Sequence, residues 1–112
     1  MNKSVSTTSS SEDVYSEVIG HKNVSGDITL DYSVSQIHLI TTAGNTNITT
    51  TNIPYGKQMY IYVVNYNGEV TVENGDLTLE DSIITQLITV YNHIGTTTYT
   101  VNQVYGLQVS VS

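Results

Sequence analysis

The sequence predicts an all-β protein, a single antiparallel β-sandwich of jelly-roll type with about eight short strands behind a flexible N-terminal arm. Three observations carry that expectation. From Gly26 onward, apolar and polar residues alternate with period two. Asn-Gly and other turn-forming residues interrupt the alternation at about the 8–12-residue spacing of sandwiches and barrels. The composition pairs 38% hydrophobic residues with only 12% charged ones, so Thr, Ser and Asn must supply the wet faces, a role that branched Thr fills well on a pleated strand.

Residues 1–25 read as the arm and residues 26–112 as the sandwich domain. Up to Glu12 the chain is Ser- and Thr-rich with Val5 its one apolar residue after Met1, too little burial to repay ordering. Val14, Tyr15, Val18 and Ile19 then fall at helix-like spacing between Asp13, a potential N-cap, and Gly20, a potential stop. A helix this short is unstable alone, so the segment reads as a loose lead-in or as a peptide that docks on a partner.

In DITLDYSV the residues Ile28, Leu30, Tyr32 and Val34 share one face. HLITTAGNTNITTTNI, residues 38–53, falls within two predicted strands, 37–42 and 46–51, joined by an Ala43-Gly44-Asn45 turn, with Leu39 and Ile48 directed inward. GKQMYIYVVNYNGEV sets Met59, Ile61 and Val63 against Tyr60, Tyr62, Val64 and Tyr66. Coverage on both faces marks a central strand or a subunit interface. Asn67-Gly68 suits a type I′ hairpin returning through Val70 and Val72, and Asn74-Gly75 precedes an alternating Leu77 and Leu79. IITQLITVY places Ile84, Ile88 and Val90 opposite Ile83, Leu87 and Tyr91; residues 92–95 turn the chain back, and TTYTVNQVY and LQVSVS supply the last strands.

Charge narrows the function. With a net charge of −7, three lysines and no arginine, the counterion release that drives nucleic-acid binding has little to act through, and anionic lipid is disfavoured equally. The absence of cysteine excludes disulfides and thiolate metal sites. No stretch has the apolar character of a signal peptide or a membrane span, so synthesis in the cytoplasm is expected. His21, His38 and His93 form no spaced ligand pair, which assigns His38 to a strand surface and His93 to a turn. Glu69, Glu73, Asp76, Glu80 and Asp81 are the acidic cluster, with spacing unlike a calcium loop. No nucleophile–base motif stands out, so a non-enzyme without metal or cofactor is expected. Asn23-Val24-Ser25 and Asn47-Ile48-Thr49 fit the N-glycosylation pattern, which matters only on secretion. The threonine tracts lack the fixed period of a surface-binding array.

The succession of GDITLD at 26–31, LITTAGNTNIT at 39–49, YIYVV at 60–64 and TYTV at 98–101 resembles the small β-sandwich or jelly-roll domain of tailed-bacteriophage virion proteins, of head-fibre, capsid-decoration or fibre-tip type. Members commonly carry a tryptophan after the central hairpin, and this chain has none. The resemblance implies a homotrimer in the virion, held to other capsid or fibre components by its arm, with Val14, Tyr15, Val18 and Ile19 as the anchor. A small core gains by association, and Tyr60, Tyr62 and Tyr66, or the face of Ile84, Ile88 and Val90, are the candidate interface. The alternative is a receptor-binding tip in which Tyr91, Tyr99 or Tyr105 stacks on host-surface glycans.

Overall fold

The computed structural model describes residues 17–80 and 84–104. Strands β1 (Val18–Asp31), β2 (Ile37–Thr51), β3 (Gln58–Val64), β4 (Val70–Val72), β5 (Leu77–Leu79), β6 (Thr85–His93) and β7 (Thr96–Val104) form one sheet. The protein is all-β, but its pairing is mixed: β1, β3 and β4 all run parallel to β2, while β3–β6, β4–β5 and β6–β7 are antiparallel. The sheet nearly closes into a barrel.

The parallel pairs have very short connections. Only Tyr32–Gln36 separate β1 from β2, and only Asn52–Lys57 separate β2 from β3, where a flat parallel pair needs a crossover of about a dozen residues or more. Each long strand must therefore curl until its end lies near its own start. Successive passes stack in register, so Ile28, Ile48 and Val72 form one cross-strand ladder and His21, Ile40 and Val63 another. β3 and β4 share the same edge of β2, against Ile37–Thr41 and Thr46–Ile48 respectively.

The curl explains four departures from the sequence expectations. Residues 37–51 are one strand, not a hairpin; Gly44 is not among the positive-φ glycines, and the bend is taken up as a register shift against β1. Asn67-Gly68 makes a corner, since β3 and β4 pair with β2 and not with each other. Residues 18–25, expected in the arm, belong to β1. Leu39 faces outward, half-buried, and Ile40 takes the core position expected of it.

Register irregularities in β1 between His21 and Val24, with Asn23 at φ 54°, shift the inward set from odd residues to Val24, Ile28 and Leu30. A bulge does this by inserting one unpaired residue. Leu30, Ile40, Ile48, Met59, Ile61, Val63, Val70, Val72, Leu79, Ile88 and Val90 form the core, each contributing about 1.5–3 kcal/mol by burial. At the bend, buried Thr42 donates to Asn65 Oδ1 at 2.6 Å, and Asn65 Nδ2 donates to the Gly68 carbonyl at 2.9 Å.

Two backbone positions make sharp tests. Gly68 has φ 88°, and a Cβ there would sit 2.6 Å from Asn45 N and Gly44 C. Gly68→Ala should destabilise the fold by about 2 kcal/mol or more in denaturant melts. The β6–β7 turn places Ile94 (φ 51°) and Gly95 (φ 87°) in left-handed conformation, which a β-branched residue rarely adopts. Since Ile94 is 69% exposed, Ile94→Asn should raise stability by about 0.5–1 kcal/mol, read as a higher urea midpoint.

Candidate interaction surface

Because the core residues occupy alternate positions, the intervening ones on β2, β3, β6 and β7 form a continuous outer face. Pairing sets them in rows. Val18, Ile37, Tyr60, Thr89 and Thr100 make one, and Gly20, Leu39, Tyr62, Leu87 and Asn102 the next. Neither row contains a charged side chain, in a chain with ten acidic residues. Val18 is 56% exposed, while Ile37, Leu39, Tyr60, Tyr62 and Leu87 are half-buried by their neighbours.

The candidate interface residues thus divide. Tyr60 and Tyr62 lie on this face, and Tyr66 is exposed beyond the end of β3. Ile84 is half-buried just before β6. Ile88 and Val90 have no exposed surface and belong to the core; they pair with Ile61 and Met59 on the inward side of β6, out of reach of a second chain. Of the anchor residues, Val14 and Tyr15 lie outside the described residues, whereas Ile19 pairs with His38 in β1. Tyr105 and Asp81 are likewise outside them. Tyr99 packs against the core, and its hydroxyl reaches Asp76 Oδ2 at 3.4 Å. Burial and the nearby Glu73 and Asp76 carboxylates push that phenol up to about 12, and the contact links β7 to the segment between β4 and β5.

A polar groove of about 240 Å³ opens elsewhere, lined by Gly26, Asp27, Asn45, Thr46, Asn47, Glu69 and Thr71. It follows the row Asp27–Asn47–Thr71 across three parallel strands. Asn47 is consumed internally: its Oδ1 accepts from Thr71 at 2.9 Å and from the Asn74 N–H at 3.1 Å, and its Nδ2 donates to Asn74 Oδ1 at 3.1 Å. Glu73 is also engaged, accepting from the Thr50 N–H at 2.7 Å and hydroxyl at 3.0 Å. Among the described residues no group of three or more His, Cys, Asp or Glu is arranged to hold a metal ion.

The sequence assigned His38 to a surface, but it is 1% exposed. His38 Nε2 lies 2.9 Å from the Ser35 carbonyl, and its Nδ1 lies 3.0 Å from His21 Nε2. The ring centroids are 5.3 Å apart with planes inclined by 19°. That separation equals the N···N distance plus the two centroid-to-nitrogen radii, so the rings meet edge to edge in an N–H···N hydrogen bond. Residues 17 apart gave no sequence signal for the pair, since only the parallel register of β1 on β2 brings them together. Comparison with protein families, with curated proteins and with solved structures found no match to this chain.

Burial, and then the neighbouring His38, hold the His21 pKa below its ordinary 6.5. In the window beneath 6.5 the unfolded chain therefore binds more protons than the folded one, and folding stability is lost as the pH is lowered. Asp31 is held below its ordinary 3.8 by hydrogen bonds from Ser33 and Asn52, so its stabilisation is present above 3.8 and disappears at lower pH. Denaturant melts should show a flat profile from 6.5 up to the onset of tyrosine titration near 10 and a decline below 6.5 that His21→Gln removes; Asp31→Asn should flatten only the most acid part.

Proposed function

We propose that this chain is a non-enzymatic structural module that self-associates through the outer face of β2, β3, β6 and β7, as a component of a bacteriophage virion. The observation that carries the self-association is the pair of uncharged rows centred on Tyr60, Tyr62, Leu39 and Leu87. Interface cores are depleted of charge and enriched in tyrosine. Copies that each carry −7 repel one another, and a neutral face is where two of them meet at least electrostatic cost. A parallel sheet also favours cover on both faces, and a second copy supplies that cover here. The virion assignment rests on the sequence resemblance, which favours a trimer of head-fibre or capsid-decoration type attached through the residues before β1.

A glycan-binding tip is the second reading, favoured by the polar groove at Asp27, Asn45, Asn47, Glu69 and Thr71, whose Asp27 and Glu69 carboxylates suit hydroxyl-rich ligands.

Native mass spectrometry and sedimentation of the purified chain should give a trimer. Leu87→Asp and Tyr62→Asp, placed on the outer face, should weaken association by roughly 10–100-fold with circular dichroism unchanged. A monomer at every concentration would sink the self-association, and absence of the chain from purified particles would sink the virion assignment. Removing residues 1–16, which spares β1, should leave the oligomer intact and abolish incorporation into particles. Binding of glycans that Asp27→Asn and Glu69→Gln abolish would favour the second reading.

A further inference from the structure

We propose that the His21–His38 pair is an acid-operated latch, which holds the first half of β1 on β2 and releases it when both imidazoles become charged. The hydrogen-bond chain sets the proton positions. A backbone carbonyl only accepts, so His38 Nε2 carries the hydrogen that is donated to Ser35. In the neutral ring that leaves Nδ1 as an acceptor, and His21 Nε2 must donate to it.

One added proton is tolerated. It enters at His21 Nδ1, and the cation still donates from Nε2 to His38. A second proton has nowhere to go but His38 Nδ1, where it places two N–H groups head to head across 3.0 Å. Two like charges at this distance, one on a ring that is 1% exposed, are unstable together. Separating the strands relieves both the repulsion and the desolvation.

The surroundings offer little compensation. Neither β2 nor β3 carries an Asp, Glu, Lys or Arg. On β1 and just before it stand Glu17, Lys22, Asp27 and Asp31. Lys22, the next residue after His21, adds no negative charge, and the Asp31 carboxylate, which does attract a charge on His38, is hydrogen-bonded by Ser33 and Asn52 at an exposed site where water screens it. Ser35 ties the same junction, since its hydroxyl bonds the Glu17 carbonyl and accepts the Ile37 N–H.

The fold also supplies a place for the opening to stop. Val18–His21 pair with Ile37–Ile40, then the register slips before Val24 and again before Gly26–Asp31 pair with Thr46–Thr51. The first segment detaches without disturbing the second, which carries Ile28 and the fully buried Leu30. Release withdraws Val18 and Gly20 from the outer face, so acid would loosen assembly, a consequence that rests on the self-association reading.

The test is amide hydrogen exchange on the dilute full chain at pH about 7.5 and about 5, values that bracket the histidine range, together with ¹⁵N spectra of the imidazoles. At the lower pH, after correction for intrinsic rates, the β1 amides of residues 18–21 should exchange at least about 10-fold faster, while those of 28–31 stay protected. His21→Gln keeps an N–H donor toward His38 but cannot charge, and should abolish the difference. Equal loss of protection along all of β1, an unchanged pH response in His21→Gln, or a His38 ring protonated at Nδ1 at neutral pH would each overturn the latch. Because exchange is read on dilute chain, such a failure leaves self-association untouched.

Discussion

The structure depends on the shortness of the returns between its parallel strands. With only Tyr32–Gln36 to bring the chain from the end of β1 to the start of β2, the strands themselves have to supply the curvature. The bulge at Asn23, the register shift opposite Gly44 and the corner at Gly68 are where they do so. Once curled, the two halves of β1 and β2 face each other, and the inward aliphatic residues of both halves meet in one core. Antiparallel β5, β6 and β7 then complete the wall.

That curvature brings together what the linear chain separates. It sets His21 beside His38 at the junction where the first pass closes, and it sets Asp27, Asn47 and Thr71 in a row along the groove. Stacking passes also distributes charge unevenly. Among the described residues the acidic side chains fall on or next to β1, on the turns and around the groove, leaving the outer rows of Tyr60 and Tyr62 uncharged. Core, histidine pair and uncharged outer face are three results of one geometry.

The local readings that held are those whose cause is local. Period-two alternation located β3, β6 and β7, and correctly placed Met59, Ile61 and Val63 opposite Tyr60 and Tyr62. The turn over 92–95 was legible because Gly95 accepts positive φ. Alternation could not say which face is inner: it gave Ile88 and Val90 the same standing as Leu87 and Tyr91, and only the curled sheet separates the 0% exposed pair from the half-buried one. Nor did it reveal the stacked passes. The offset between paired residues grows from 19 at Val18/Ile37 to 24 at Thr46/Val70, so no constant period marks them.

By itself, then, the sequence determined that this chain is built of strands, where most of them run, and that its surface is acidic and poor in cations, because pleat periodicity, turn chemistry and net charge are properties of neighbouring residues or of the whole composition. Tertiary structure decided the direction of pairing, the inner face of each strand and the meeting of His21 with His38. Those follow from how far the chain must curl to return, a constraint that couples residues about twenty positions apart and leaves no mark on any short stretch.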